Sequence, residues 1–545
     1  MSTIDTHASS APASSGALAC VADWIGTTDH KRLGRLYLGS AAVAFVGSAV
    51  VGVLLGIERI WPDREWLPVK SLTQLFAVER FGLTFLVLLP AMIGAALAIV
   101  PLQVGARALA LPRLALAGFW LWLFGGVLGV YSLILNGGPG GSRARFVDLF
   151  ILAVVLVALG ALASVGSLVT TVLTTRAPGM NMRRIPYFTW ASLVAGVGLV
   201  LALPVLVGDL LYLYAAHHYP SAANEMSGNL ALTDWAGWGF TQPLTLLFAV
   251  PVLGYYADVA ATFSGERLRP RGPIFLAIAL SGVGAFASVL QATPTLDSGV
   301  FHKDFWTVID QLIPFGLIHG LPLLGAFSLF AYATQHLVLS KPKVQAPAVF
   351  GVLSAGLLLA AFGASLVAHI GDAGLAGTTF EEGSWLLTVG AAVVGALGAA
   401  SYWGPKWSGR VLPKSASLVL SLAAAAGTAL AAGGLLVAGF ADQPGAVFPF
   451  ILPGTDVSAV NFDYSGPMGL WNALNVVGLA VLLLTVLAFV ALSLRGGEAA
   501  GNDPWGGQTL EWATASPAPA DNFAELHTVK SAEPLIDLQP NRSDA

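Results

Sequence analysis

The sequence predicts an all-α, polytopic membrane protein built as a bundle of twelve transmembrane helices. Of its 545 residues, 56% are hydrophobic and only 10% are charged, and the mean hydropathy is +0.75. Soluble globular chains carry about 25% charged residues, so a water-soluble fold of this size would lack the charge to cover its surface. The formal net charge of -4 gives no basic excess that would attract polyanions. Soluble enzymes, disordered scaffolds and nucleic-acid-binding proteins are therefore excluded.

The second observation is a series of long apolar stretches, since a spanning helix needs about 20 mostly apolar residues. The predicted spans lie near 36–57, 80–101, 114–136, 147–175, 187–215, 238–261, 273–292, 308–334, 347–369, 384–403, 416–440 and 469–494. The loops between them are short, so residues 23–496 are predicted to form one membrane domain. Residues 1–22 are expected to be a disordered cytoplasmic tail, and residues 497–545 an extended cytoplasmic tail.

The distribution of positive charge predicts the orientation, because short cytoplasmic loops are enriched in Lys and Arg. With the N-terminus inside, 19 of the 26 Lys and Arg residues fall on the cytoplasmic side and seven outside, with Arg59 and Arg80 among the seven. The reverse topology would invert these numbers. We therefore expect both termini to be cytoplasmic, in a membrane of the bacterial plasma-membrane type.

Several motifs occur in a characteristic order along the chain. They are WIGTTDHKRLG at 24–34, PAMIG at 90–94, YWGPKWSGR at 402–410, NDPWGG at 502–507 and LEWAT at 510–514. Together they resemble subunit I of the haem-copper oxidases, of the cytochrome c oxidase type, from about residue 22 to 537. The resemblance implies a twelve-helix bundle, which agrees with the independent count of apolar stretches.

The resemblance also implies two haems and one copper held by six histidines, because imidazole suits iron and copper. None of the six positions carries a histidine here. Counting from the motifs places Glu79, Gly383 and Trp385 at the haem-ligand positions, and Gln242, Gln291 and Ala292 at the copper-ligand positions. The sequence therefore predicts no haem, no copper and no catalytic residue. For Glu79, a local ion pair with Arg80 or a position at the membrane interface is the simpler expectation.

The proton-handling residues that the resemblance implies are absent as well. The expected glutamate and tyrosine of the sixth span are Leu244 and Leu246, the eighth-span lysine is Ile318, and the inner-loop aspartate is Ala108. Oxygen reduction needs both a metal pair and a supply of protons, so this pattern argues against activity.

The favoured hypothesis is a haem-free, non-catalytic subunit I-like protein that serves as a structural or docking subunit of a respiratory membrane complex. Its expected partners are the bilayer and other membrane subunits, including oxidase subunit II- or III-like chains. Trp505, Trp512 and Phe523 in the polar tail are the docking candidates, because exposed aromatics mark contact surfaces. The tail packing back on its own bundle is the alternative for these rings. For the whole chain, two alternatives stay open: a terminal oxidase subunit with unusual ligands, and a transporter or ion-conducting protein that reuses the bundle.

Overall fold

The computed structural model describes residues 17–61, 66–219, 237–291, 293–445, 466–523, 525 and 528–538. Within these residues it contains twelve helices long and apolar enough to cross a membrane, which confirms the predicted bundle. We number them as spans 1 to 12. They are His30–Ile60, Ser71–Gln103, Pro112–Ile134, Ala144–Thr174, Tyr187–His218, Gly237–Ser264, Arg271–Leu290, Phe305–Leu339, Ala346–Ala368, Thr379–Trp403, Lys414–Phe440 and Met468–Arg495.

A short helix precedes the bundle. Helix α1 covers Ala17–Ile25, so the prediction of a disordered tail over residues 1–22 is wrong from Ala17 onward. Span 1 then begins at an N-cap, where the Asp29 side chain accepts a hydrogen bond from the Lys31 backbone N–H at 3.0 Å. Such a cap satisfies one of the backbone donors that a helix start leaves free.

Spans 2, 6 and 10 form the centre of the bundle. The most apolar 18-residue window is fully buried in spans 2 and 6 and 89% buried in span 10, against 33% in span 12. The outer spans present apolar side chains to the bilayer, whereas the central three are surrounded by protein. Any interior site must therefore be built mainly from these three helices.

Span 2 is not a uniform α-helix. Its α-helix Val69–Phe81 passes into a π-helical segment, Gly82–Leu88, before the α-helix Leu89–Gln103. Pro90 follows this segment and has no backbone N–H to donate, which disturbs the regular hydrogen-bond ladder. The wider turn holds Thr84, whose side chain is fully buried and faces the centre of the bundle.

The C-terminal tail is not an extended surface segment, because it folds back on the bundle. Strand β1, Arg410–Val411, pairs antiparallel with strand β2, Glu498–Ala499. The chain then crosses the helix ends beside Tyr402. We call this side of the bundle the tail face and the opposite side the far face.

The rings proposed for docking are packed into the tail face. Trp512 is 2% exposed and Phe523 is 6% exposed, and the Trp505 indole donates to the Tyr402 carbonyl at 2.8 Å. The prediction that these side chains are exposed for a partner is therefore wrong for Trp512 and Phe523, whereas the Trp505 ring is only partly buried. Packing these rings against their own bundle removes apolar area from water. A partner is therefore not needed to cover that area.

Candidate functional site

Gln242, the first of the predicted copper-ligand positions, is buried at the start of span 6. Its amide nitrogen donates to the Ser384 carbonyl at 3.0 Å and to the Thr388 hydroxyl at 2.7 Å. Its amide oxygen accepts from the Ser384 hydroxyl at 2.6 Å. Both amide hydrogens and the carbonyl are thus engaged, and spans 6 and 10 are tied together at this point.

Gly383 does not face this interior space. A Cβ at Gly383 would lie 2.9 Å from the Ala432 carbonyl oxygen of span 11, so the glycine permits close contact between spans 10 and 11. The residue that meets Gln242 is Ser384, one position further on. The two neighbours contact different helices because adjacent helical residues point about 100° apart.

Trp385 occupies the space between spans 2 and 10. It is 5% exposed, and its indole N–H donates to the Thr84 hydroxyl at 3.1 Å. The Arg80 guanidinium lies 4.0 Å from the centre of its ring, in a cation–π contact. A large ring thus fills the place at which the sequence comparison expects a ligand.

The two remaining copper-ligand positions lie at the end of span 7. Gln291 is exposed, adopts a left-handed backbone conformation with φ of 49°, and donates to Asp209 at 3.2 Å. It caps the last helical turn of span 7 and is not part of the Gln242 network. Ala292 lies outside the described residues.

These residues do not fit a haem or a copper ion. At the described positions stand an amide whose polar atoms are engaged by span 10, a glycine that faces span 11, a hydrogen-bonded indole, an exposed amide and the Glu79 carboxylate, which lines a cavity. Leu244, Leu246 and Ile318 are buried at 0%, 3% and 2% exposure, so apolar side chains stand where the resemblance implies proton-handling groups. Gln242 could bind a metal only by giving up its hydrogen bonds to span 10.

A cavity of about 450 Å³ remains beside Trp385, toward the far face. Apolar side chains from several spans form much of its wall, and four charged residues also line it: Arg59, Glu79, Arg80 and Glu382. Cavities of about 300–1,000 Å³ with a few placed polar groups are typical of small-molecule sites. We call this space the far cavity.

The four charges of the far cavity are not equally satisfied. Arg59 of span 1 donates to both carboxylate oxygens of Glu382, at 2.9 and 2.7 Å. Glu79 forms neither a hydrogen bond nor an ion pair with any residue that the structure describes, and Arg80 contacts only the Trp385 face. The expected local pair between Glu79 and Arg80 is therefore not formed.

The tail face holds a second polar cluster, outside the spans. The Glu511 carboxylate accepts from Gln103 at 3.1 Å and from the Trp403 indole at 3.0 Å, and burial raises its pKa. Lys406 donates to the carbonyls of Asn502 and Thr514, both at 2.8 Å, while desolvation lowers its pKa to about 8. This cluster fixes the tail to the bundle.

Sequence reasoning missed several of these residues. The orientation count assigned Arg59 and Arg80 to the outer side, at the ends of the first two predicted spans, whereas both lie within helices that span the membrane. Glu382 was placed before the tenth span, which in fact begins at Thr379. The signal available was the presence of charged residues within one or two turns of a long apolar stretch, since ionisable groups inside a membrane are rare and functional by default.

The fold and these sites define a class: a polytopic membrane bundle whose central helices are joined by buried hydrogen bonds. The family described as "Cytochrome C and Quinol oxidase polypeptide I" matches residues 32–481, and the chain belongs to this family.

Individual relatives agree with this assignment. The chain is 27% identical to "Cytochrome c oxidase subunit 1" of Bacillus subtilis, over 94% of this chain and 82% of that protein. It is 26% identical to the protein of the same name from Bacillus sp. strain PS3, over 97% and 89%. It is also 27% identical to "Heme-copper oxidase subunit I+III" of Aeropyrum pernix, over 96% of this chain and 64% of that protein.

Proposed function

We propose that this chain is a haem-free, non-catalytic member of the oxidase subunit I family, acting as a structural or docking subunit of a respiratory membrane complex. The observation that carries the proposal is the network of Gln242, Ser384 and Thr388 at the centre of the bundle. Its amide and hydroxyl groups are bonded to one another, so they are not available as ligands.

The energetics favour retention of this network. A buried polar group that loses its partner costs about 1–3 kcal/mol, so opening the network for a metal would leave several such groups unsatisfied. Amide and indole nitrogens are also poor replacements for imidazole, because their lone pairs are delocalised. The scaffold is thus kept while its central helices are joined by ordinary protein–protein hydrogen bonds.

Measurement of the cofactor content tests the first half of the proposal. The full-length protein is purified from membranes in mild detergent, and haem and copper are quantified per chain by the pyridine haemochrome spectrum and elemental analysis. A haem-containing oxidase purified in parallel is the control. We expect background haem and copper, and no oxygen uptake with reduced cytochrome c or quinol. Stoichiometric haem or turnover by the isolated chain would contradict the proposal.

The second half concerns partners. The proposed neighbours are oxidase subunit II- or III-like chains, and the name "Heme-copper oxidase subunit I+III" of the Aeropyrum pernix relative is consistent with a subunit III-like neighbour. Because Trp512 and Phe523 are buried, we place the docking surface on the outward sides of the spans and of the packed tail. Copurification with mass spectrometry should recover stoichiometric membrane partners. A lone monomer, under conditions that keep other respiratory complexes intact, would contradict this role.

Orientation belongs to the same proposal. With the tail face cytoplasmic, both termini lie inside the cell, as the Lys and Arg distribution indicates. Reporter fusions after the far-face and tail-face loops should give opposite signals.

A further inference from the structure

The far cavity contains one positive and one negative group that form neither a hydrogen bond nor an ion pair with a described residue. Arg59 and Glu382 form a pair with two hydrogen bonds, so their charges compensate each other. Arg80 and Glu79 are left facing the same 450 Å³ space, and neither is paired with a described residue. Unpaired charges inside a membrane bundle are costly, and where they persist they mark a functional site.

We propose that the far cavity binds a small zwitterion with an apolar body, of the α-amino acid class. The ligand carboxylate pairs with Arg80, the ligand ammonium pairs with Glu79, and the apolar body lies against the cavity wall. This inference rests on the haem-free assignment, because a haem beside Trp385 would occupy the same space.

Arg80 is prepared to receive a carboxylate. Trp385 covers one face of its guanidinium at 4.0 Å, which fixes the plane of the group while leaving its N–H edge for an acceptor. A guanidinium held in this way presents parallel N–H donors that match the two oxygens of a carboxylate. Without such an acceptor, the donors at the cavity have no partner in the described part of the chain.

Glu79 is held apart from Arg80 by its contact with span 1. A Cβ at Gly52 would lie 2.5 Å from the Glu79 Oε1 atom, so only glycine lets the carboxylate lie against this helix. The two groups therefore remain separate although they are adjacent in sequence. Together they present opposite charges to a ligand, and an anion alone or a cation alone would satisfy only one of them.

The remaining wall selects an apolar body. Phe76, Phe150, Phe240 and Leu386 line the cavity, so an aliphatic or aromatic side chain would be buried on binding. The lining extends to Thr73 and Pro139, which lie at the far-face end of the bundle. Thr73, Thr241 and Asn475 are the few neutral polar residues of a mostly apolar lining, so apolar amino acids are expected to bind best.

Three probes with the same ring test the charge requirement on the unmodified protein. Full-length protein in nanodiscs is titrated with L-phenylalanine, 3-phenylpropionate and phenethylamine, with empty nanodiscs subtracted. We expect L-phenylalanine to bind at least about tenfold more tightly than either half-analogue, because each half leaves one buried charge unpaired. Equal binding of the three probes, or no binding of L-phenylalanine at millimolar concentration, would overturn the proposal.

Two substitutions then assign the charges. R80Q should weaken L-phenylalanine and 3-phenylpropionate by about tenfold or more and leave phenethylamine unchanged, while E79Q should do the reverse. R145Q, which removes an exposed arginine, is the matched control and should change none of the three. A variant pattern in which R80Q and E79Q affect all probes alike would also overturn the assignment.

Haem is measured on the same preparations. Stoichiometric haem would remove the proposed function. Background haem together with absent or unselective L-phenylalanine binding would contradict only the proposed ligand of the far cavity.

Discussion

The two polar regions of this bundle differ in how their charges are satisfied. At the tail face, Lys406 donates to two backbone carbonyls and the Oε1 atom of Glu511 accepts from Gln103 and Trp403, so each group has hydrogen-bond partners in the same chain. In the far cavity, Glu79 and Arg80 have no such partners among the described residues. Charged residues thus anchor the tail in one region, and in the other they remain available to a ligand.

The two regions are therefore expected to differ in role: the tail face stabilises the fold, and the far cavity binds a ligand. The tail-face cluster involves the motifs that revealed the family, at 402–410 and 502–514. The centre and the far cavity contain Gln242, Trp385 and Glu79, which the sequence predicts at ligand positions. Substitutions at the tail face should therefore reduce stability, whereas those at the far cavity should alter binding as well.

Trp512→Ala should have the largest effect on stability. The ring is 2% exposed, donates to the Tyr402 hydroxyl at 3.2 Å and lies 4.8 Å from the Lys406 ammonium. Removing a buried tryptophan costs about 3–5 kcal/mol of unfolding free energy. Thermal unfolding in detergent measures the loss. Trp306→Ala is the control, because Trp306 is 71% exposed, and an equal loss in both variants would contradict the anchoring role.

Glu382→Gln tests the paired half of the far cavity. The Arg59 and Glu382 side chains are 9% and 12% exposed, so removing one charge leaves the other buried and uncompensated. Breaking a buried pair costs about 3–5 kcal/mol, and we expect the lower end here because glutamine can still accept a hydrogen bond. The neighbouring Glu381→Gln is the matched control, since Glu381 forms no ion pair with the described residues. Comparable unfolding midpoints for both variants would show that the pair is not stabilising.

Gln242→Ala tests the closed centre. The substitution leaves the Ser384 and Thr388 hydroxyls without their amide partner, which should reduce stability by about 1–3 kcal/mol. Thr241→Ala, at the adjacent exposed position, should change the unfolding midpoint by less than about 0.5 kcal/mol. If Gln242→Ala is as stable as the parent, the network does not hold spans 6 and 10 together.

The smallest effect is expected from the titration of Lys406. Because burial lowers its pKa from 10.5 to about 8, the unfolded chain binds more protons than the folded chain between these values. Stability should therefore rise with pH across this window, by at most about 1.4 kcal/mol per pH unit. Chemical unfolding at pH 8 and 9.5 measures the slope. Lys406→Met removes the titrating group and should remove this part of the slope, and an unchanged slope would assign it to other residues.

The sequence by itself determined the twelve-helix bundle, because each span is a local apolar stretch whose length the bilayer sets. The motifs likewise indicated the family, and Gln242 and Trp385 could be counted at expected ligand positions without a structure. By contrast, the sequence did not show that Gly383 lies against span 11 and that Ser384 meets Gln242, since these contacts depend on how the three spans pack.

The tertiary structure alone decided how the polar residues are used. The sequence left open whether the rings of the tail meet a partner or the bundle, because burial depends on where the chain returns after β2. It also separated Arg59 from Glu382 by more than 300 residues, and only the packing of spans 1 and 10 brings them within 2.7 Å. The same packing leaves Glu79 and Arg80 facing a cavity, since the pairing of charges depends on distances between helices, which no local pattern encodes.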